Sequence, residues 1–366
     1  MSTIADLDTP ALLFDLDVVE RNIAEMAGVA RAAGVRLRPH TKTHKSPEIA
    51  RMQLEAGAAG ITVAKLGEAE VMVDVGLNDV LVAYPLVGEA KLARFRGLLE
   101  RADLRATTDS VEVAEGLGRV GRSLGRDIPV LIEVDTGLHR VGSAPGGPTV
   151  ELAQRVAAVA GVEVIGLLTH AGHAYRSAGP DELRATAERE GLDLVMTAAA
   201  CAEAGIELRE LSVGSTPTAR IVADVEGVTE IRPGTYVFND VQQLRLGVAS
   251  ETACAATVLT TVVAHPTDER FVLDGGSKAF TSDGGDGPPF PGRGVVVGRP
   301  ELRIDFMNEE HAVGHRTGAD DVRIGERLRV IPLHACATVN MFDVAAGVRG
   351  EVVEREIAIA ARGRMR

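Results

Sequence analysis

The segment Arg38-Pro39-His40-Thr41-Lys42-Thr43-His44-Lys45 gathers two lysines, two histidines and an arginine directly after a short run with strand character. A lysine amine in such a setting can condense with an aldehyde, provided that desolvation or neighbouring positive charge keeps part of it neutral near pH 7. Taken alone, the same pattern also describes a solvated surface loop or an anion-binding loop.

A second candidate is His334-Ala335-Cys336, which follows the β-branched run at 327–332. On an extended chain, residues i and i+2 share a face, so the imidazole and the sulfur would point the same way and could chelate one cation. Imidazole with thiolate suits zinc, and two protein ligands leave positions open for water or substrate. The alternative is a satisfied core histidine beside a small buried cysteine. Gly214-Ser215-Thr216-Pro217-Thr218 and Pro233-Gly234-Thr235-Tyr236 have the composition of a phosphate cradle, in which glycine admits the anion to backbone N–H groups and hydroxyls add donors. Each also reads as an ordinary turn.

Elements must bring these residues together. Strand-like runs at 35–38, 60–64, 79–83, 105–107, 130–134, 162–168, 210–213 and 230–231 alternate with helical segments such as 46–56, 66–75, 88–102, 148–160 and 181–204. Eight strands with helical crossovers predict an α/β fold, a (β/α)8 TIM-type barrel, over residues 18–247. From 248 the pattern changes to β-branched runs at 255–264, 271–273, 294–297, 302–306, 327–332 and 352–360. These predict a C-terminal all-β domain made of 1–17 and 248–366 and carrying the His334/Cys336 pair, although the run Ala11-Leu12-Leu13-Phe14-Asp15 fits either domain. In such a barrel, chemistry sits on the loops after the strands. Lys42, the loop Asp135-Thr136-Gly137-Leu138-His139-Arg140, the loop Thr169-His170-Ala171-Gly172-His173-Ala174-Tyr175 and both glycine-hydroxyl loops are all expected there.

The 366 residues, 45% hydrophobic, suffice for two cores. A formal charge of −13 excludes attraction to nucleic acid or an anionic membrane and favours small-molecule chemistry. The N-terminus shows no basic and apolar leader, and no stretch approaches a membrane span, so a cytoplasmic location is expected. Cys201, Cys254 and Cys336 are too few and too scattered for a disulfide framework.

In combination, the lysine segment, the Gly-Ser-Thr-Pro-Thr loop, Pro233-Gly234-Thr235-Tyr236 and His334-Ala335-Cys336 resemble the D-serine dehydratase and D-threonine aldolase family in order and spacing. The likeness runs from Thr9-Pro10-Ala11-Leu12 to Ala360-Ala361-Arg362-Gly363. It implies a fold-type III enzyme with an alanine-racemase-like barrel, using pyridoxal 5'-phosphate (PLP) and a divalent metal: zinc, or else manganese or magnesium. It implies that Lys42 is the catalytic Schiff-base residue and that Lys45 is secondary, adding charge or facing solvent. By the same matching, Ser215, Thr216, Gly234 and Thr235 hold the phosphate, and Arg140, His170 and Tyr175 lie around the pyridine ring and substrate. His334 and Cys336 bind the metal, and the protein forms a homodimer acting on a D-amino acid.

The implied reaction is that of a lyase on 3-hydroxy-D-amino acids. If Lys42 removes the Cα proton and the metal binds the 3-hydroxyl, hydroxide leaves and a 2-oxo acid and ammonia result. If the 3-hydroxyl loses its proton, the Cα–Cβ bond breaks and the enzyme is an aldolase giving glycine and an aldehyde. Within the family, dehydratases resemble His-x-Cys and aldolases more often His-x-Asp, so Cys336 favours elimination. A racemase, a non-catalytic PLP-binding protein and a metal-free scaffold remain alternatives. His139 departs from the small or polar residue expected in its loop, which leaves Arg140 less certain. His173 and Arg176 suggest a polar wall, and His311 and His315 read as surface residues of a β hairpin, with another metal contact or an acid/base group as the alternative.

Overall fold

A computed structural model describes residues 2–284, 287–318 and 321–366. The chain divides into two compact units, one made of Met1–Ala24, Thr43–Glu48 and Thr235–Gly363, the other of Glu25–Lys42, Ile49–Gly234 and Arg364–Arg366. The division near the end of the barrel falls at 234/235, earlier than the change of sequence pattern at 248. The reason is local: Phe238 O accepts from Ala255 N, and Asp240 accepts from Ala335 N at 3.0 Å, so 235–247 is bonded to the β-rich part of the chain.

The first strand, β1 (Ala11–Asp15), belongs to that β-rich unit. The barrel strands follow as β2 (Arg36–Leu37), β3 (Ile61–Val63), β4 (Asp79–Val82), β5 (Asp103–Thr108), β6 (Ile128–Glu133), β7 (Val162–Leu168), β8 (Glu210–Val213) and β9 (Glu230–Ile231). They form one parallel sheet in the order β2-β9-β8-β7-β6-β5-β4-β3. A parallel bridge between His40 and Thr62 joins its two edges, with Thr62 N donating to Pro39 O and Thr41 N to Thr62 O, each at 2.8 Å. The sheet therefore closes on itself, as a barrel must to leave no edge.

The interior of this barrel is charged. Arg36 and Arg38 share a strand face at period two, and they meet Asp79, Arg105, Glu210 and Glu230 from four other strands. Arg38 contacts Asp79 at 2.6 Å and Glu230 at 2.9 Å; Arg36 reaches Glu230 at 3.6 Å and Glu210 at 3.4 Å; Arg105 reaches Glu210 at 3.4 Å and Asp79 at 2.5 Å. The six side chains close an alternating ring of three guanidinium groups and three carboxylates. Arg38 and Glu230 are fully buried within it. Two glycines make room: a Cβ on Gly60 would stand 2.1 Å from Arg38 Nη1, and one on Gly166 would stand 2.0 Å from Glu210 O. Two residues along from Asp79, Leu81 packs with Leu131, Ile165 and Leu168 in an apolar cluster.

The β-rich unit adds β10 (Ala256–Thr267), β11 (Arg270–Leu273), β12 (Gly294–Val296), β13 (Leu302–Met307), β14 (Ala312–Arg316), β15 (Arg327–Pro332), β16 (Val344–Arg349) and β17 (Val352–Ala358). With β1 they form a nine-stranded sheet ordered β11-β14-β13-β12-β15-β10-β1-β16-β17. Here β1 runs antiparallel to β10 and parallel to β16. Among the described residues, no helix is long and apolar enough to cross a membrane, and Cys201, Cys254 and Cys336 are all free thiols.

Removing one partner of a buried ion pair strands the other charge and costs about 3–5 kcal/mol, whereas an exposed pair is worth about 0–1 kcal/mol. Glu230→Ala is expected to lower the unfolding free energy by about the former amount. Arg101→Ala, which breaks a pair exposed on both sides, should change it by less than about 1 kcal/mol. Denaturant titration of the two variants checks this, and equal small losses would show that the ring does not stabilise the barrel.

Candidate active site

Within the barrel unit, the residues singled out from the sequence sit after the C-terminal ends of parallel strands. Lys42 follows β2 and is half-buried. Arg140 lies in the loop after β6, His170 and Tyr175 in the loop after β7, Ser215 and Thr216 after β8, and Gly234 after β9. His170 brings several of them into one electrostatic neighbourhood. Burial first, then the charges of Lys42, Arg140 and Arg232, hold its pKa well below the usual 6.5, against a hydrogen bond to the Gly214 backbone. The imidazole is neutral at pH 7 and faces three cations.

Arg232 extends the charged barrel interior toward this rim. Ser212 donates to Glu230 Oε1 at 2.6 Å and accepts from Arg232 Nη1 at 2.6 Å, while Arg232 Nη2 donates to Thr169 O at 2.6 Å. On β8 and β9 the rise from 210 to 212 and from 230 to 232 is the period-two step that keeps side chains inside. Glu133, at the end of β6, is 3.5 Å from Arg140, and burial raises its pKa despite Arg140 and Arg232.

The loop after β6 has its own support. Asp135 Oδ1 accepts from Gly137 N at 3.0 Å and His139 N at 2.9 Å, and Oδ2 lies 3.0 Å from His139 Nδ1. His139 takes a left-handed φ of 58° to close this turn and is otherwise solvent-facing, so it shapes the loop that carries Arg140. His173, with its pKa lowered by burial and by Arg176, packs against Gly137.

Sequence reasoning passed over Glu190, in the helix Pro180–Glu203. Its carboxylate is buried and accepts from Ala171 N at 3.0 Å, Gly214 N at 3.0 Å and Thr218 Oγ1 at 2.9 Å, clamping the loops after β7 and β8 together. Thr218 Oγ1 also accepts from Ser215 N at 3.1 Å. The signal existed: Leu183, Ala187, Glu190 and Leu194 are the buried stripe of that helix, so an acid stood on its apolar face. Arg232 had no such signal, because β9 is too short to show alternation.

In the β-rich unit, His334 and Cys336 meet, but not as an extended i, i+2 pair. β15 ends at Pro332; His334 is the extended residue (φ −140°, ψ 104°) capping the short helix Ala335–Val339, and Cys336 lies in its first turn. The approach comes from the turn at the cap. Burial disfavours charge on the His334 ring, yet the charges and hydrogen bonds of Cys336, Asp240 and Asp283 prevail and push its pKa up to about 10. Asp240 is buried and accepts from Ala335 N at 3.0 Å and Gln243 N at 3.2 Å, fixing the backbone of this turn. Asp283 Oδ2 lies 2.6 Å from His334 Nδ1. Thr43 Oγ1 is 3.1 Å and Thr235 Oγ1 3.6 Å from Cys336 Sγ, so the Thr235 hydroxyl sits beside the sulfur. Lys45 is buried with φ 50°, and its carbonyl accepts from Ala361 N, so it does not face solvent. His315 pairs with Asp305 at 2.6 Å across the β13–β14 hairpin, and His311 lies in the connecting turn.

The residues present fit both groups that the sequence resemblance implies. An anionic aldehyde would find Lys42 in a cationic neighbourhood that also holds a neutral imidazole. A divalent cation would find an imidazole and a sulfur already in contact, with Asp283 on the second ring nitrogen and Asp240 holding the backbone of the turn. Among the described residues, no group of three or more His, Cys, Asp or Glu is arranged to hold a metal.

Residues 14–242 match the family described as alanine racemase, N-terminal domain, and residues 255–348 match the putative serine dehydratase domain. The chain is 40% identical to a D-threo-3-hydroxyaspartate dehydratase of Delftia sp. (strain HT23), over 93% of this chain and 94% of that one. The crystal structure of D-threonine aldolase from Filomicrobium marinum superposes with a TM-score of 0.92 at 33% identity, covering 99% of this chain and 98% of the other. A cysteine-to-alanine mutant of D-threo-3-hydroxyaspartate dehydratase, in a metal-free form, superposes with a TM-score of 0.90 at 35% identity, covering 98% and 99%.

The state of His170 predicts an acid limb in stability. Its folded pKa lies below its unfolded value, so the unfolded chain binds the proton first and stability falls as pH drops below about 6.5. Buried carboxyls with raised pKa, such as Glu190, act in the opposite sense at lower pH. The difference between parent and His170→Asn therefore isolates the imidazole: melting curves should converge as pH falls from neutrality. Parallel curves would mean that His170 titrates normally.

Proposed function

This chain belongs to the D-serine dehydratase and D-threonine aldolase family of lyases, with an alanine-racemase-type N-terminal domain, and from that premise we propose that it eliminates water from 3-hydroxy-D-amino acids. The products are a 2-oxo acid and ammonia, and the enzyme uses PLP and a divalent metal, with zinc first in order, as a cytoplasmic homodimer. The observation that carries elimination over other lyase reactions is the sulfur of Cys336 in contact with His334, a soft pair that suits zinc. The identity with a D-threo-3-hydroxyaspartate dehydratase supports the same choice.

When bound, PLP supplies a sink for the electrons released at Cα, and the metal a Lewis acid for the departing hydroxyl. The chain's own residues do the rest. Lys42 would hold the cofactor at rest, and once free its Nζ would take the Cα proton of the substrate. Ser215, Thr216, Gly234 and Thr235 hold the phosphate. Arg140, His170 and Tyr175 line the ring and substrate, and His170, being neutral, adds no charge beside Lys42. His334 and Cys336 would hold the ion, which would supply a Lewis acid for the 3-hydroxyl. The Cα–H and Cβ–O bonds break, the proton taken by Lys42 Nζ is passed to the departing hydroxide, which leaves as water, and the enamine released takes up one water to give the oxo acid and ammonia.

A second reading, retro-aldol cleavage to glycine and an aldehyde, is favoured by the superposition on a D-threonine aldolase. D-threonine separates the two. With PLP and either zinc or manganese, 2-oxobutanoate and ammonia should predominate; predominant glycine and acetaldehyde would make the enzyme an aldolase. Lys42→Ala is expected to lose both turnover and the near-visible absorbance of the lysine-bound cofactor, and retention of both would remove Lys42 from the mechanism.

A further inference from the structure

His334 is hydrogen-bonded to both Cys336 and Asp283, and the Asp283 bond is made by Nδ1, 2.6 Å from Oδ2, a distance typical of a charge-assisted hydrogen bond. That leaves Nε2 for Cys336, and so for an ion held between the imidazole and the sulfur. A histidine ligand that donates its second N–H to a carboxylate is held in one tautomer and one ring orientation, with raised basicity at the ligating nitrogen. Asp240 cannot serve this purpose, because Oδ2 accepts from Ala335 N and Oδ1 from Gln243 N. It sets the backbone of the turn, not the ring.

The segment carrying Asp283 is tied to the His334 turn from both sides. Upstream, Phe280 O accepts from the buried Thr338 hydroxyl at 2.8 Å. Downstream, the Cα of Gly284, at φ +109°, is packed so closely that an added Cβ would stand 3.3 Å from Leu333 Cβ, and Gly284 O accepts from Arg293 at 3.2 Å. Between them, Asp283 N donates to Thr281 Oγ1 at 3.0 Å. The carboxylate is thus presented to the ring by a braced turn, although Asp283 stands 51 residues away in sequence.

We propose that Asp283 is the positioning residue of the metal pair: it orients the His334 ring so that Nε2 meets the ion held with Cys336, without ligating the ion itself. This rests on the reading of His334 and Cys336 as metal ligands. Losing such a carboxylate typically weakens metal affinity about 10–100-fold.

The test is zinc affinity of PLP-loaded protein, measured by competition with a chromogenic chelator, for the parent, D283A, D283E and H334A. D283A is expected to bind zinc about 10–100-fold more weakly, with D283E recovering part of the loss. The near-visible absorbance and the metal-free melting temperature should stay at parental values. Zinc X-ray absorption of D283A should retain one imidazole and one sulfur ligand. Parental affinity in D283A, alongside a large loss in H334A, overturns the role of Asp283 alone. A D283A loss as large as that of H334A, with an oxygen ligand missing from the absorption spectrum, would make Asp283 a ligand and overturn the positioning role. Parental affinity in H334A would overturn the metal reading itself.

Discussion

The barrel unit depends on a closed circuit of opposite charges where such barrels usually pack branched aliphatics. Three arginines and three acids, drawn from five strands, depend on one another, because Arg38 and Glu230 are fully buried at the centre of the circuit and removing either leaves its partner with uncompensated charge. The circuit therefore makes strict demands on register. A one-residue slip in β8 or β9 would turn Glu210 or Glu230 out of the barrel and strand the guanidinium groups inside. The same circuit continues upward through Ser212 and Arg232, so the charge that depresses His170 is anchored by bonds that begin at the other end of the strands.

The proposed metal pair, His334 and Cys336, is supported on a different principle. Its two donors lie on a helix-capping turn, and that turn is held by side chains far away in sequence: Asp240 through the backbone, Asp283 through the imidazole, and Thr43 and Thr235 at the sulfur. In the barrel unit, strand geometry positions side chains directly. In the β-rich unit, hydrogen bonds from loops do so.

That contrast explains what the sequence allowed to be read. The eight barrel strands and their order were legible because parallel strands between helices leave a strong periodic trace, and Lys42, His170 and the two glycine-hydroxyl loops were legible as strand-end loops. β14 was legible only as the hairpin around His311 and His315, and β16 was not: Val344-Ala345-Ala346-Gly347-Val348-Arg349 carries small residues and a glycine, and it is a strand because neighbours on both sides pair with it. The geometry of His334 and Cys336 was misjudged because a strand pattern ending at Pro332 gives no notice of the helical turn that follows. Asp240 and Asp283 were invisible for want of any local pattern linking them to position 334. Arg38, which opens the lysine segment and looked like part of its chemistry, serves the charge circuit instead.

The place of β1 has a consequence for how the protein is made. This strand, complete by residue 15, lies inside the nine-stranded sheet between β10 and β16, which begin at 256 and 344. During synthesis the barrel segment emerges between β1 and both of its partners. A ribosome-bound chain thus carries an apolar strand, Ala11-Leu12-Leu13-Phe14-Asp15, whose inner residues are buried in the finished fold and have no sheet to join until most of the polypeptide exists. Pairing across so long a loop is entropically slow, so the order of events is imposed by translation: the barrel can organise early, and the sheet that holds the metal pair must wait for the last strands.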